Sequence, residues 1–247
     1  TDLVLQHPEI ARCDLSGLPS ADLVSATVAR IKVDAGFSLS EQAAAALAAQ
    51  QIDYAVLPDR NFADLGLIVS DMDSTLITIE CIDEIAAGVG LKDKVAEITE
   101  RSMRGEMDFA QSLTERVALL EGLDEGVLQS VYDNVLKLSP GAEYLITECK
   151  RHDVKFLLVS GGFTFFTDRL QQQLGIDYAY ANVLEIVDGK LTGKLKGRMI
   201  DAQAKADLLR QHQEALGLTP EQVLAVGDGA NDIPMLQAAG IGVAYHA

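Results

Sequence analysis

The residues most able to do chemistry stand in segment 67–75, which reads Leu-Ile-Val-Ser-Asp-Met-Asp-Ser-Thr. Its apolar start predicts a short buried strand of a parallel sheet, and Asp71 and Asp73 follow at once. In open α/β sheets the carboxyl ends of strands face the crevice where ligands bind. Because residues two apart in extended chain point the same way, these carboxylates can converge on one cation or one phosphoryl group. Burying unpaired carboxylates is energetically unfavourable, so a hard divalent cation is expected to bind between them.

Three later segments carry the other parts that phosphoryl transfer needs, at or near predicted strand ends. They are Ser160-Gly-Gly162, Lys205 and Gly227-Asp-Gly-Ala-Asn-Asp232. One carboxylate can form an aspartyl-phosphate, and a second can protonate the leaving group and later activate water. A further carboxylate completes a metal site, while a hydroxyl, backbone amides and a lysine neutralise the phosphoryl oxygens. Each segment alone more often marks a turn or a helix cap, but the four in this order are highly specific.

Other sites that these residues could form are excluded by their neighbours. An EF-hand loop opening at Asp71 needs glycine and glutamate where the chain has Leu76 and Ile82. A nucleophile elbow at Ser160 needs glycine where Leu158 stands. The sequence also contains no P-loop and no complete dinucleotide fingerprint.

The elements around the motifs predict an α/β protein with a doubly wound, mostly parallel sheet. Strands are expected at Val154–Val159, Val183–Val187, Leu191–Leu195, Val223–Val226 and Ile241–Ala244, and helices near Phe166–Leu174 and at Ala202–Leu216. Asp188-Gly189, between the second and third of these strands, predicts a hairpin. The apolar periodicity from Glu80 to Leu138 predicts a helical insert.

Residues 1–64 are predicted to form a separate small α/β unit. Ala26–Val33 alternates apolar and polar residues as a strand does. Ser40–Gln51 is an Ala-rich predicted helix with Ser40 as its N-cap, and Ile52–Leu57 is a second predicted strand. Together the three elements predict a βαβ-like arrangement.

Composition indicates a soluble globular protein and excludes several classes of partner. The 247 residues are 48% hydrophobic and 23% charged, and the net charge of −17 argues against nucleic acid or an anionic membrane surface. No apolar run approaches the roughly 20 residues that span a bilayer, and no signal-peptide pattern opens the chain. The widely spaced Cys13, Cys81 and Cys149 are typical of reduced thiols in a cytoplasm.

The four motifs resemble the signature of the haloacid dehalogenase (HAD) superfamily of phosphatases: Asp-x-Asp-x-Thr, then Ser or Thr, then Lys, then Gly-Asp-x-x-x-Asp. Over about residues 65–247 the resemblance extends to the phosphoserine phosphatase family. Its specific part is Glu80 with the helical segments Met103–Phe109 and Ser112–Leu120. The core motifs, by contrast, are shared by phosphatases of many substrates.

The resemblance implies a fold and an activity. It implies a HAD-like doubly wound parallel sheet core over 65–247, a helical cap inserted at about 78–138, and a small N-terminal α/β domain of regulatory or dimerising type over 1–64. The implied enzyme is a cytoplasmic, Mg²⁺-dependent phosphoric monoester hydrolase. It would convert O-phospho-L-serine to L-serine and phosphate, the last step of L-serine biosynthesis. The expected partner is this small molecule, with a homodimer left open.

The catalytic and metal-binding roles are implied residue by residue. Asp71 resembles the nucleophile and a metal ligand, and Asp73 the general acid and base, with its backbone carbonyl on the metal. Asp228 resembles the other protein ligand. Asp232 would support the site, and Asn231 would lie near the phosphate.

The substrate contacts implied by the resemblance suit the three charged groups of phosphoserine. They are Ser160, Gly161 and Lys205 for the phosphoryl group, Glu80 for the ammonium, Arg116 for the carboxylate, and Met103 and Phe109 as an apolar cover. Arginine suits a carboxylate because its fork is bidentate. Without the resemblance, the two charged cap residues would more often be solvated, and the two apolar ones ordinary helix core.

Two rival functions remain at this point. A phosphotransferase would pass the aspartyl-phosphate to another hydroxyl amino acid instead of water. An amino-acid-binding regulatory protein would carry a silent phosphatase domain. The presence of both Asp71 and Asp73 argues against the second rival, because binding alone needs no nucleophile and acid pair.

Overall fold

The computed structural model describes residues 2–8, 10–15, 18, 22–23, 27–34, 36–57 and 60–245, without the side chains of Asp22, Leu23 and Met103. The chain divides into two compact units, Thr1–Asn61 and Phe62–Ala247. The sequence-based boundary at residue 64 lies slightly beyond this division. In the described part of the chain, no helix combines the length and the apolar composition that a membrane span requires.

In its described residues, the first unit is a four-stranded antiparallel sheet with one α-helix. Its elements are β1 Asp2–Gln6, β2 Asp22–Leu23, β3 Val28–Lys32, α1 Glu41–Ala49 and β4 Asp53–Leu57. The strand order is β2-β3-β1-β4. The predicted β3–α1–β4 succession is present, and Ser40 Oγ accepts a hydrogen bond from Ala43 N at 3.2 Å as the expected cap. Ala26, the first residue of the predicted strand, lies outside the described residues.

The predicted βαβ-like arrangement is incomplete, because β1 lies between its two strands, β3 and β4, in the sheet. β1 pairs antiparallel with both β3 and β4. Leu3 and Leu5 of β1 are fully buried, in one cluster with Ile31 and Leu47. Sequence reasoning missed β1 because five residues at the chain start carry little periodicity, whereas the structure supplies the partners on both sides.

The second unit contains the doubly wound sheet and the helical insert. Its strands are β5 Leu67–Ser70, β6 Lys155–Phe163, β7 Tyr178–Val187, β8 Lys190–Lys196, β9 Val223–Gly227 and β10 Ile241–Ala244. Its helices are α2 Cys81–Gly88, α3 Lys92–Met103, α4 Phe109–Ala118, α5 Gly126–Asn134, α6 Ala142–Arg151, α7 Thr164–Leu174, α8 Ala202–Ala215 and α9 Ile233–Ala238. The predicted α/β class with a helical insert is confirmed.

The sheet has the order β10-β9-β5-β6-β7-β8, and its first five strands run parallel. β8 returns antiparallel to β7 through the predicted hairpin. Asp188 and Gly189 form its turn with φ of 51° and 73°, the left-handed conformation that a two-residue hairpin requires. β5 therefore lies inside the sheet, with its carboxyl end between those of β6 and β9.

Both faces of the central strands are buried, which explains their continuous apolar sequences. Ile68 and Phe156 belong to the core beneath α6 and α7. Val69 and Leu157, one residue further along each strand, belong to a second core with residues of α8 and α9. Burying one such side chain contributes about 1.5–3 kcal/mol, so the layers fix the positions of the strand ends.

The cap, helices α2 to α5, joins the core through two adjacent chain segments. Ile77 and Leu138 form an isolated antiparallel bridge. On either side of it, Thr78 N donates to Lys137 O at 2.9 Å, and Ser139 N donates to Leu76 O at 3.0 Å. This paired connection places the cap over the carboxyl ends of the strands.

Candidate active site

A tight turn follows β5 and directs both aspartates of the first motif to one cavity. Ile77 N donates to Met72 O at 2.9 Å, and Ser74 has a φ of 51°. The expectation that Asp71 and Asp73 converge is correct, but not because the strand stays extended. The chain turns over Met72–Leu76 instead, which brings the second carboxylate back beside the first.

A cavity of about 220 Å³ lies between the strand ends and the cap. It is lined by Asp71, Asp73, Glu80, Ile82, Phe109, Leu113, Arg116, Gly161, Gly162, Phe163, Asp228 and Asn231. Most of the residues predicted for the site thus share one cavity. Lys205, Ser160 and Asp232 lie behind its wall, fully buried. The Met103 side chain lies outside the described residues.

Lys205 links two carboxylates at the floor of the site. It projects from α8, and its Nζ lies 2.8 Å from Asp71 Oδ2 and 2.8 Å from Asp232 Oδ1. Burial lowers the pKa of Lys205, but the two carboxylates outweigh burial and hold the pKa above its usual value. Burial raises the pKa of Asp71 to about 8, against the attraction of Lys205. The site therefore holds more buried negative charge than its one lysine neutralises.

Asp73 is held in an environment that favours its protonated form. Its Oδ1 accepts a hydrogen bond from Cys81 N at 2.8 Å, and its Oδ2 accepts one from Ser160 Oγ at 3.3 Å. Burial raises the pKa of Asp73 above its usual value despite these bonds. A carboxyl group that can hold a proton beside a second, ion-paired carboxylate has the arrangement of an acid next to a nucleophile.

Three carboxylates could hold a metal ion. Oxygen atoms of Asp71, Asp228 and Asp232 all lie within 4.8 Å of one another, and an all-oxygen set fits a hard cation. Both oxygens of Asp232 already have partners, however. Oδ1 accepts from Lys205, and Oδ2 accepts from the backbone N–H of Asp228 and Gly229 at 3.1 and 3.2 Å. Asp71 and Asp228 line the cavity, whereas Asp232 lies behind its wall, so Asp71 and Asp228 are the carboxylates better placed to face a cation directly.

Two cap residues of opposite charge line the wall facing the aspartates. Glu80 stands at the exposed rim, where Ser74 Oγ donates to its Oε1 at 2.7 Å. Partial desolvation of its carboxylate and the nearby Asp73 raise the pKa of Glu80 to about 7. Arg116, on α4, donates from Nε to Ser112 O at 3.4 Å. In the described part of the chain, the ion pairs within 4.0 Å include none to Arg116, so its fork is available to a ligand.

Phe109 closes the cavity from the cap side. It is the first residue of α4, held by a capping box in which Asp108 Oδ1 accepts from Gln111 N at 2.8 Å. Its ring lies over Gly161: a Cβ added there would stand 2.9 Å from Phe109 Cζ. A Cβ on Gly162 would stand 2.6 Å from Asp73 Oδ2. The two glycines therefore let the cap and the acid approach the carboxyl end of β6.

Sequence reasoning selected neither Thr75 nor Asn182 for the site, although Thr75 is the threonine of the Asp-x-Asp-x-Thr motif. Thr75 Oγ1 donates to Asp228 Oδ1 at 2.9 Å, joining two motifs. Asn182 is buried on β7, where its Nδ2 donates to Gly161 O and its Oδ1 accepts from Ile200 N, both at 2.8 Å. It thereby ties the carboxyl end of β6 to the segment before α8. Nothing in the local sequence marks Asn182, because its partners are distant in the chain.

Comparisons with known proteins agree with this geometry. Residues 65–240 match the family model of haloacid dehalogenase-like hydrolases. A phosphoserine phosphatase of Polaromonas sp. is 52% identical over 195 residues, covering 77% of this chain and 83% of that protein. A HAD family hydrolase structure from Salmonella enterica has a TM-score of 0.87 and 30% identity, covering all of this chain and 90% of the other.

A solved phospho-aspartyl intermediate analogue of phosphoserine phosphatase has a TM-score of 0.69 and 40% identity. That match covers 74% of this chain and 87% of the other. The family model spans most of the chain, and the relatives of high identity share one description. The chain therefore belongs to the phosphoserine phosphatase family of the haloacid dehalogenase-like hydrolases.

Proposed function

We propose that this protein is a Mg²⁺-dependent phosphatase that hydrolyses O-phospho-L-serine to L-serine and phosphate, the last step of L-serine biosynthesis. One observation carries the proposal. A single cavity presents an aspartate pair at the strand ends and an unlike pair, Glu80 and Arg116, on the cap. These charged groups suit a ligand that carries a phosphate at one end and an ammonium and a carboxylate at the other.

The first step forms a phosphorylated aspartate. An Oδ of Asp71 attacks phosphorus, and the bond between phosphorus and the serine oxygen breaks. Asp73 gives its proton to that oxygen, which releases L-serine. Burial raises the pKa of Asp73, which favours its protonated form and supports this role. The similar structure described as a phospho-aspartyl intermediate analogue of phosphoserine phosphatase supports the same route.

The second step returns the enzyme to its starting state. Asp73, now ionised, takes a proton from water as the water oxygen attacks phosphorus. The bond between phosphorus and the Asp71 oxygen breaks, releasing inorganic phosphate. Lys205 holds the Asp71 carboxylate at 2.8 Å, and we assign to it and to Ser160 and Gly161 the stabilisation of the phosphoryl oxygens. Asn231, on the cavity wall, is assigned to the same group.

We assign the metal to Asp71, Asp228 and the backbone carbonyl of Asp73, with Asp232 in support. The excess of buried carboxylates over Lys205 and the oxygen donor set support this assignment. When bound, Mg²⁺ supplies positive charge to the phosphoryl oxygens. Asp232 is fully buried behind the cavity wall, which supports its placement outside direct coordination.

Selectivity for the amino-acid end is assigned to the cap. Glu80, when ionised, pairs with the substrate ammonium, and Arg116 receives the carboxylate through its fork. The absence of an ion pair to Arg116 among the described residues supports this role. Phe109 excludes water over the phosphoryl group, and Met103 is proposed to extend the same apolar cover.

Two finer assignments concern the rest of the molecule. We propose a regulatory or dimerising role for the N-terminal unit. Its edge strand β4 supports that role, because Tyr54 and Val56 are exposed there. We also propose a cytoplasmic location, supported by the buried thiols of Cys81 and Cys149, which form no disulfide.

A substrate panel tests the function. Phosphate release and the co-product are measured for O-phospho-L-serine, phosphoethanolamine, D-3-phosphoglycerate and p-nitrophenyl phosphate, with and without Mg²⁺. We expect O-phospho-L-serine to have the highest kcat/KM, with L-serine as co-product. Preference for a substrate without an amino-acid end overturns the proposal, and transfer of phosphate to an added hydroxyl amino acid instead of water identifies a phosphotransferase.

A further inference from the structure

The turn that carries Asp73 continues into Ser74, a residue that the proposed reaction does not use. Ser74 has a φ of 51° and a ψ of 4°, a left-handed conformation that glycine adopts freely and other residues adopt only at a cost. Ser74 N donates to Ile79 O at 3.1 Å, and this backbone bond brings Ser74 beside Glu80. A serine in a conformation that suits glycine points to a function for its side chain.

The hydroxyl of Ser74 holds the Glu80 carboxylate. Ser74 Oγ donates to Glu80 Oε1 at 2.7 Å. Glu80 is the N-cap residue of α2, but its side chain makes no capping hydrogen bond to that helix. Within the described residues, the Ser74 hydroxyl is the only hydrogen-bond donor found for this carboxylate. One contact therefore sets the position of a long and exposed side chain.

A second hydrogen bond joins the same turn to the start of α2. Asp73 Oδ1 accepts from Cys81 N at 2.8 Å, so two consecutive residues of the turn bind two consecutive residues at the start of the helix. The Ser74 hydroxyl occupies Oε1 of Glu80 and leaves Oε2 for a ligand. A donated hydrogen bond also favours the ionised carboxylate, which is the form that pairs with an ammonium.

We propose that Ser74 is a positioning residue that holds Glu80 toward the cavity and so sets the preference for substrates that carry an ammonium group. Glu80 lines the cavity, whereas Ser74 is not among the lining residues, so Ser74 acts through the carboxylate. The inference rests on the proposed function, because it needs a substrate whose ammonium pairs with Glu80.

The test compares two substrates that differ by one group. 3-Phosphooxypropanoate carries hydrogen in place of the ammonium of O-phospho-L-serine, so the ratio of their kcat/KM values measures ammonium recognition. We expect Ser74→Gly and Ser74→Ala each to lower this ratio about fivefold, because each loses a hydrogen bond to a charged group. The loss should appear mainly in KM for O-phospho-L-serine.

The two replacements separate the hydroxyl from the backbone. Ser74→Gly relieves the left-handed strain and Ser74→Ala retains it, so Ser74→Gly should melt at the higher temperature while both variants give the same ratio. Asp188→Gly, which replaces another non-glycine residue with a φ of 51°, is the matched control and should leave the ratio unchanged. If one Ser74 variant does not fold, the ratio in the other decides.

A double-mutant cycle makes the inference specific. In a Glu80→Gln background, Ser74→Gly should not lower the ratio further, because its effect acts through the carboxylate. An equal loss on both substrates, an undiminished effect in the Glu80→Gln background, or a lowered ratio in Asp188→Gly overturns the inference alone. So does an unchanged ratio in Ser74→Gly when Glu80→Gln lowers it. Absence of O-phospho-L-serine turnover in the wild type, or an unchanged ratio in Glu80→Gln, contradicts the proposed function, and the inference falls with it.

Discussion

At the scale of single residues, the site depends on carboxylates whose protonation is set by their surroundings. Asp71 is paired to Lys205, Asp73 is half-buried with no cation of the described residues at hydrogen-bond distance, and Glu80 stands at the rim. Residues of one chemical type therefore take different roles, because burial and partners shift their pKa values by different amounts.

Asp71→Asn should reduce turnover by about a thousandfold or more while the fold survives, because the amide cannot attack phosphorus. Rapid quenching of the wild type with ³²P-labelled substrate should trap acid-stable, base-labile label in the peptide that contains Asp71. The variant should trap none, and its circular dichroism should match that of the wild type. Label in the peptide that contains Ser160 would contradict the assigned nucleophile.

Glu80 should give the enzyme a pH dependence that reflects substrate recognition. Its pKa of about 7 lies above the ordinary value of 4.5, so the carboxylate is neutral below pH 7 and ionised above it. Only the ionised form can pair with the ammonium. We expect kcat/KM for O-phospho-L-serine to fall as pH drops below about 7, and Glu80→Gln to remove this part of the profile.

D-3-phosphoglycerate is the control for that profile, because a hydroxyl replaces the ammonium. Both substrates carry a phosphate that titrates in this range, and its titration affects both alike. The ratio of the two kcat/KM profiles against pH therefore isolates the contribution of Glu80. A ratio that does not vary with pH would exclude Glu80 as the ammonium partner.

At the scale of elements, the cap encloses the reaction through α4. Its capping box fixes the first turn, and that turn presents Phe109 to Gly161. The ion pairs of Arg101 with Glu106 and Glu115 join α3 to the loop before α4 and to α4 itself. These contacts are exposed and individually weak, so the position of the lid depends mainly on packing.

Phe109→Ala should impair catalysis more than stability. The ring of Phe109 is half-buried, so its loss should cost less stability than the loss of a core phenylalanine, which costs about 3–5 kcal/mol. Water entry and a misplaced cap should instead lower kcat/KM about tenfold to a hundredfold. Thermal melting and steady-state kinetics measure the two effects on one sample. Phe165→Ala, also half-buried but stacked on Arg169 away from the cavity, is the matched control. Near-normal turnover with a large stability loss would make Phe109 a core residue only.

At the scale of the whole molecule, a chain of net charge −17 must bind an anionic substrate. The local positive charge comes from Lys205, Arg116 and the proposed Mg²⁺, which act over short distances in a partly dry cavity. Mg²⁺ should therefore stabilise the fold as well as the reaction. At 100 times its Kd, bound Mg²⁺ should add about 2.7 kcal/mol to the free energy of unfolding.

Chelation should lower the melting temperature of the second unit by several degrees and abolish phosphate release, and added Mg²⁺ should restore both. Asp228→Asn should lose the Mg²⁺-dependent melting shift. Asp207→Asn, which removes an exposed aspartate on α8, should retain it. Full activity in excess chelator, or an unchanged shift in Asp228→Asn, would refute the metal assignment.

The sequence by itself determined the class of fold and the position of the chemical motifs. Apolar runs buried on both faces specify strands of a parallel sheet, and Asp188-Gly189 specifies the hairpin, because these signals act over a few neighbouring residues. Asp71 and Asp228 could be selected because each follows a strand end, and Lys205 because it falls in order between the Ser160 and Gly227 motifs. Element limits such as β10 Ile241–Ala244 were predictable for the same reason.

Tertiary structure alone decided what depends on contacts between distant segments. β1 inserts between β3 and β4, and Asn182 joins Gly161 to Ile200, although no local pattern marks either. The turn over Met72–Leu76 and the open fork of Arg116 likewise follow from packing of the cap on the core. Local sequence fixes which residues are available for chemistry. Their distances, burial and protonation arise only when long-range packing removes water and brings the charges together.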